Sequence, residues 1–251
     1  MQDIYIGDEG KGFPLVLVHG FLGSSKMWGP QIDFFKKNFR VITPDLPGFG
    51  KSNHIKSHDN ISSLANLILD CLKDKQINKF SLLGHSMGGM IVQEMAKMEG
   101  NKITKLICYS TGPIGEMPDR FETIEQSRKN LKKIGLEITA RNITKTWFML
   151  GEKAKYFDDC IQIGKETSLE AADNALVAIK NWNGVNSLKL IKNETLIIWG
   201  DKDKSYNFKQ IQTLKNNILN SSLITFKGCA HNVHLEKPDE FNNSIKEFLN
   251  Q

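Results

Sequence analysis

Seven short runs of β-branched and aliphatic residues punctuate the chain, most of them separated by stretches of helical periodicity. The runs are Asp3–Ile6, Leu15–Val18, Arg40–Thr43, Phe80–Leu83, Lys105–Tyr109, Thr195–Trp199 and Ser222–Phe226. Helical patterns cover Gln31–Asn38, Ile61–Lys75, Gly89–Met98, Phe208–Asn217 and Asp239–Asn250. Several runs are apolar at nearly every position, so both faces of each such strand need cover. Strands of that kind, linked by helices, build a doubly wound, mostly parallel sheet, and an α/β fold is therefore expected. A chain of 251 residues with a 40% hydrophobic fraction has the length and the apolar content for one such core.

One region breaks the alternation. From Gly112-Pro113 to about Asn186 no convincing strand occurs, only helical periodicity with aromatics such as Phe121, Trp147, Phe148 and Trp182. That is too long for a loop. It reads as a helical cap inserted between two strands, with residues 1–112 and 187–251 forming the core and 113–186 the cap. An independent helical domain beside the sheet is the alternative.

The stretch "FSLLGHSMGGMIVQEMAK", Phe80 to Lys97, places a serine between two glycines where a buried strand hands over to a helix. G-x-S-x-G in that context describes a nucleophile elbow, a turn tight enough to strain the serine backbone. Gly84 and Gly88 fall where a Cβ would collide with the neighbouring chain. The turn holds the Ser86 hydroxyl at a helix N-terminus, where free N–H groups stabilise negative charge. "GFGKS" is not a phosphate loop, because G-x-x-x-x-G-K-[ST] requires glycine where Asp45 stands. A dinucleotide G-x-G-x-x-G from Gly48 fails at Asn53.

With these residues in view, the sequence resembles the α/β-hydrolase family over nearly its whole length. "GHSMGG" is similar to the family's elbow, "LVLVHGF" to its oxyanion strand and loop, and "DLPGFGKS" to the loop after the next strand. "TLIIWGDKD" and "GCAHNVHLEKPDEF" are similar to the segments carrying its acid and histidine. A serine needs a base. His85 is expected to point away from Ser86, His54 and His58 lie in a polar loop, and His19 serves its own loop better than proton transfer. His231 and His234 remain, and the spacing H-x-x-x-x-E-K-P selects His231 by resemblance. The family's G-x-x-D after a strand implies Asp203 as the supporting acid, with Asp201 as competitor. The order Ser, Asp, His agrees with the fold. Backbone N–H groups of Phe21 and Met87 are the expected oxyanion donors.

The formal net charge is +5, with basic residues scattered rather than clustered, so no nucleic-acid partner is expected. No basic n-region precedes the first apolar run, and no stretch is long enough to span a bilayer. Neither a targeting segment nor a membrane partner is expected. Cys71, Cys108, Cys160 and Cys229 form no C-x-x-C pair and suit free buried thiols in a reducing cytoplasm. His231-x-x-His234 lacks the H-E-x-x-H arrangement, so no metal is implied, and the chemistry needs no cofactor.

The resemblance implies hydrolysis of a carboxylic ester, with a small-molecule ester or lactone as substrate. Enol-lactone hydrolysis and carbon–carbon bond hydrolysis on the same three residues are the rivals. Against the second stand His85 before the serine and Asn232 after the histidine, where those enzymes often carry Asn and Trp. Cofactor-free perhydrolysis is a weaker option, and a binding protein on a hydrolase scaffold is the rival of a different class. In the cap, "TWFML" offers Trp147 and Phe148 as pocket wall, or as cap core. No basic cluster flanks the elbow or the histidine, although Arg120, Arg128 or Arg141 of the cap could meet a carboxylated substrate.

Overall fold

The computed structural model describes residues 3–116 and 119–250, and its strands form one seven-stranded sheet. They are β1 (Ile6–Glu9), β2 (Phe13–Val18), β3 (Phe39–Pro44), β4 (Phe80–His85), β5 (Ile103–Tyr109), β6 (Glu194–Gly200) and β7 (Ser221–Phe226), in the spatial order β1-β3-β2-β4-β5-β6-β7. Strands β2 to β7 pair in parallel, and β1 runs antiparallel to β3. The helices are α1 (Gly29–Phe35), α2 (Ile61–Asp74), α3 (Met87–Glu99), α4 (Ile124–Thr144), α5 (Phe157–Lys165), α6 (Leu169–Asn181), α7 (Phe208–Asn217), α8 (Val233–Glu236) and α9 (Pro238–Asn250), with short 3₁₀ turns between some of them.

The sheet is covered on both sides because alternate residues of each strand serve opposite faces. Leu15, Leu17, Leu83, Ile107 and Ile198 pack with Phe35 of α1 and with Phe241, Ile245 and Phe248 of α9. Val16, Val18, Leu82, Leu106, Cys108 and Ile197 pack with α2, α3 and α7 on the other face. Each fully buried Leu or Ile contributes about 1.5–3 kcal/mol of burial, so this layering dominates the core.

The first strand departs from expectation: it spans Ile6–Glu9, not Asp3–Ile6. Ile4 is buried, but against Leu67 and Cys71 of α2 rather than in the ladder. The Tyr5 backbone bonds the Ser52 hydroxyl and the Asp45 N–H instead of a neighbouring strand. Pairing runs from Ile6 to Glu9, and Asp8 grips Arg40 of β3 through two contacts at 2.7 and 2.9 Å. Charge on this edge also discourages further strand addition.

Helices α4 to α6 lie in sequence between β5 and β6. Their N-termini are capped where side chains allow: Thr123 accepts from Gln126 N–H, and Ser168 from Ala171 N–H. Gly135, at φ +80°, kinks α4. The two ends of the insertion meet in an antiparallel bridge between Ile114 and Asn183. Gly115 N–H donates to Trp182 O at 3.0 Å, and Gly184 N–H to Pro113 O at 2.7 Å.

Candidate active site

Ser86 leaves β4 with φ +56° and ψ −117°. Such a backbone costs a non-glycine residue about 1–3 kcal/mol and must be held by its surroundings. Its N–H donates to Tyr109 O at 2.9 Å, and its carbonyl accepts from Gly89 N–H at 2.9 Å and Thr111 Oγ1 at 2.7 Å. Space exists only because two side chains are missing. A Cβ on Gly84 would stand 2.2 Å from the Gly88 carbonyl oxygen, and one on Gly88 2.3 Å from Val18 O.

Met87 is the first residue of α3, so its N–H is one of the orphan donors of the helix start. Phe21 follows Gly20, where an added Cβ would come within 2.9 Å of Ser86 Cβ. Among the described residues neither N–H has an acceptor. Two unused donors therefore flank the serine.

The other two expected residues meet beside it. Asp203, in the loop after β6, places Oδ2 2.8 Å from Nδ1 of His231, and both side chains are almost fully buried. Its Oδ1 accepts from the N–H groups of Ser205 (2.7 Å) and Tyr206 (3.3 Å), which fixes the carboxylate's orientation. Asp201 faces elsewhere: it accepts from Gly228 N–H at 2.7 Å and pairs with Lys202. Ser86 and His231 border one cavity together with Phe21, Trp147 and Tyr206.

Behind His231 lies a buried set of rings. Its carbonyl accepts from Tyr109 Oη at 3.0 Å and His85 Nε2 at 3.3 Å. The phenol has one proton, so His234 Nδ1–H, 2.9 Å away, must donate to the phenol oxygen. Burial, reinforced by the charge of His231, pushes His234 down to about 3 and His85 well below the ordinary imidazole value. Both imidazoles are therefore neutral in the folded protein near neutrality. In the unfolded chain they protonate near pH 6.5, so the unfolded state binds more protons below that pH. Stability must fall as pH drops from about 6.5 towards 3. Thermal unfolding followed across pH 6.5 to 4.5 is expected to show a shallower loss of Tm in His234→Gln than in wild type. Equal slopes would mean that His234 carries charge in the folded state.

His19 is buried and bridges two loops, with Nδ1–H donating to Gly20 O (2.8 Å) and Nε2 accepting from Leu46 N–H (3.0 Å). His54 is exposed and His58 half-buried. The four cysteines are unpaired and buried.

The insertion roofs the cavity through Ile124, Ile143, Trp147 and Ile179, leaving only ≈ 20 Å³ open to a water-sized molecule. The Trp147 ring lies 6.1 Å from that of His231. Phe148 does not join it. Trp147 ends a 3₁₀ turn and Phe148 is extended (φ −126°, ψ 144°), so the consecutive side chains diverge. Phe148 lines a separate cavity of ≈ 360 Å³ with Leu150, Tyr156, Cys229 and Leu235.

Three further residues shape the site without having been singled out in the sequence. Tyr206 stacks on His231 (5.8 Å between centroids, 15° between planes), and burial pushes its phenol up to about 12. Its position three residues after Asp203 was the available signal. Tyr109 ends β5 and supports His231 from below. Glu236 accepts from Ala230 N–H at 2.7 Å and from Met149 N–H at 2.6 Å, joining the histidine loop to the insertion. Asn232 N–H adds a bond to Trp147 O at 3.0 Å.

A parallel sheet in this order, with a positive-φ serine at the β4–α3 turn, defines a hydrolase fold. The chain belongs to the α/β hydrolase fold family, which it matches over residues 14–238. It is similar to the pimeloyl-[acyl-carrier protein] methyl ester esterase of Legionella pneumophila (strain Corby), at 28% identity over 99% of this chain and 100% of that one. The solved esterase EaEST from Exiguobacterium antarcticum has a TM-score of 0.92 at 22% identity, covering 99% of this chain and 96% of that one. The enol-lactonase from Burkholderia xenovorans LB400 has a TM-score of 0.90 at 21% identity, with the same coverage. At these identities the two structures share its fold.

Proposed function

We propose that the protein is a serine hydrolase that cleaves carboxylic esters through an acyl-enzyme. The observation that carries this reading is the 2.8 Å contact between Asp203 and His231, whose imidazole borders the same cavity as the strained Ser86. Ser86 Oγ attacks the ester carbonyl while His231 Nε2 takes its proton, and Asp203 holds Nδ1–H and supports the imidazolium. The developing oxyanion takes the N–H groups of Phe21 and Met87. Collapse expels the alcohol, protonated by His231, and water then releases the acid by the reverse steps. An enol-lactone is a cyclic ester and would open by the same steps, its alcohol remaining tethered. The esterase name of the Legionella relative supports the ester reading.

Residues 113–186 act in this reading as a cap that limits the acyl group. The unpaired buried thiols fit a reducing cytoplasm, and among the described residues no helix is long and apolar enough to cross a membrane. With a tight apolar roof, p-nitrophenyl esters from acetate to hexanoate are expected to be good surrogates. Each methylene that fits adds about 0.8 kcal/mol of burial, roughly fourfold in kcat/KM. Longer chains should decline. A kcat/KM that kept rising to palmitate would overturn the closed pocket in favour of an open groove.

A further inference from the structure

The cavity above Ser86 is roofed by apolar side chains, yet a guanidinium borders it. Arg120 lines the same space as Ser86, His231 and Tyr206. The two other arginines of the insertion that could meet a substrate are already neutralised. Arg128 grips Asp173 through Nε (2.7 Å) and Nη2 (3.1 Å), and Arg141 pairs with Glu152. Arg120 has no carboxylate partner among the described residues. Its Nη1 donates to Glu122 O at 2.6 Å and to Ser127 Oγ at 3.2 Å, while Nη2 and Nε donate to no described residue. The carboxylate of Glu122 is occupied by Ser127 Oγ and Asn130 Nδ2.

The arginine is held in place from both sides. Phe121 N–H donates to Lys204 O at 3.2 Å, and Asp119 accepts from Asn207 Nδ2 at 2.8 Å, so its segment is tied to the loop that carries Asp203. The guanidinium rests 4.2 Å over the Phe121 ring. Burial lowers its affinity for the proton, but a guanidinium remains charged at every working pH. A half-buried cation with unused donors, whose neighbouring carboxylate Glu122 is already engaged by Ser127 and Asn130, is a ready receptor for a planar anion.

We propose that Arg120 is the carboxylate-recognition residue of the substrate pocket, and that the substrate is a short ester bearing a second, free carboxylate. The ester carbonyl sits at Ser86, and the distal carboxylate takes the unused Nη2 and Nε donors. This inference rests on the ester-hydrolase reading above and names its substrate class.

The test compares monomethyl succinate, glutarate and adipate with the methyl esters of butyrate, valerate and hexanoate, in wild type, Arg120→Met, Arg120→Lys and Arg128→Met. The best half-ester is expected to exceed its uncharged counterpart by about tenfold or more in kcat/KM. Arg120→Met should erase that ratio, Arg120→Lys should keep part of it, and Arg128→Met should leave it in place. Absence of the preference in wild type, or its survival in Arg120→Met, overturns the proposal. If no ester turns over and Ser86 resists a fluorophosphonate, the ester-hydrolase reading has failed. Calorimetric binding of the half-esters to Ser86→Ala then decides the carboxylate site separately. Binding lost with Arg120→Met or weakened with Arg120→Lys supports it, and binding that is absent or indifferent to Arg120 overturns it.

Discussion

Ser86→Ala is expected to lower ester turnover by about 10⁶-fold, the scale of loss when the nucleophile of a serine hydrolase is removed. The wild-type protein should be labelled by a fluorophosphonate at one site, on the peptide containing "GHSMGG". Many serines are present, but among the described residues only Ser86 combines a strained turn, a buried imidazole and two unused N–H donors in its surroundings. Activation by such a base is what makes a hydroxyl nucleophilic. The substitution should also leave the protein folded. Alanine retains the Cβ, and the bonds that hold this turn, from Tyr109, Gly89 and Thr111, all involve the Ser86 backbone. Mass spectrometry of the labelled peptide checks the assignment, and an adduct on another serine of an active preparation would overturn it.

Asp203→Asn is expected to cost about 10⁴-fold in kcat, as in the serine-protease triad. The local bonding explains why the amide should be so damaging. Ser205 and Tyr206 still offer their N–H groups, so the amide oxygen stays with them and the NH₂ turns towards His231. That donor forces Nδ1 to give up its proton, placing it on the nitrogen that must accept from Ser86. Asp201→Asn should lose far less, because Asp201 bonds the backbone of Gly228 and does not reach the imidazole. Steady-state rates on one short p-nitrophenyl ester compare the two. Equal losses would overturn the choice of Asp203.

The features that were legible in the sequence are those whose physics is local. A strand hydrophobic on both faces declares itself by composition, and the elbow declares itself because only glycine fits at Gly84 and Gly88. Asp203 and His231 could be proposed because the segments after the last two strands resemble those that carry the acid and histidine of the α/β-hydrolase family. The misplaced first strand shows the limit. Ile4 is apolar for a contact with α2 that no local pattern reveals, while the pairing runs from Ile6 on to the polar residues Asp8 and Glu9. Trp147 and Phe148 are neighbours of similar character, and one backbone torsion separates their destinations. Arg120, Arg128 and Arg141 were equivalent as letters. Only the positions of Asp173 and Glu152, set by tertiary packing, show which of them remains without a carboxylate ion-pair partner among the described residues.

The bonds between the insertion and the histidine loop have a mechanical consequence. Glu236 clasps Met149 and Ala230 at once, and Asn232 holds the carbonyl of Trp147. Lifting Trp147 away from the serine must either break these bonds or drag residues 230–232 along with it. The roof of the cavity and the loop of His231 are thus fastened into one unit. Any displacement of that roof is therefore felt at residues 230–232, the backbone on which the His231 imidazole is mounted.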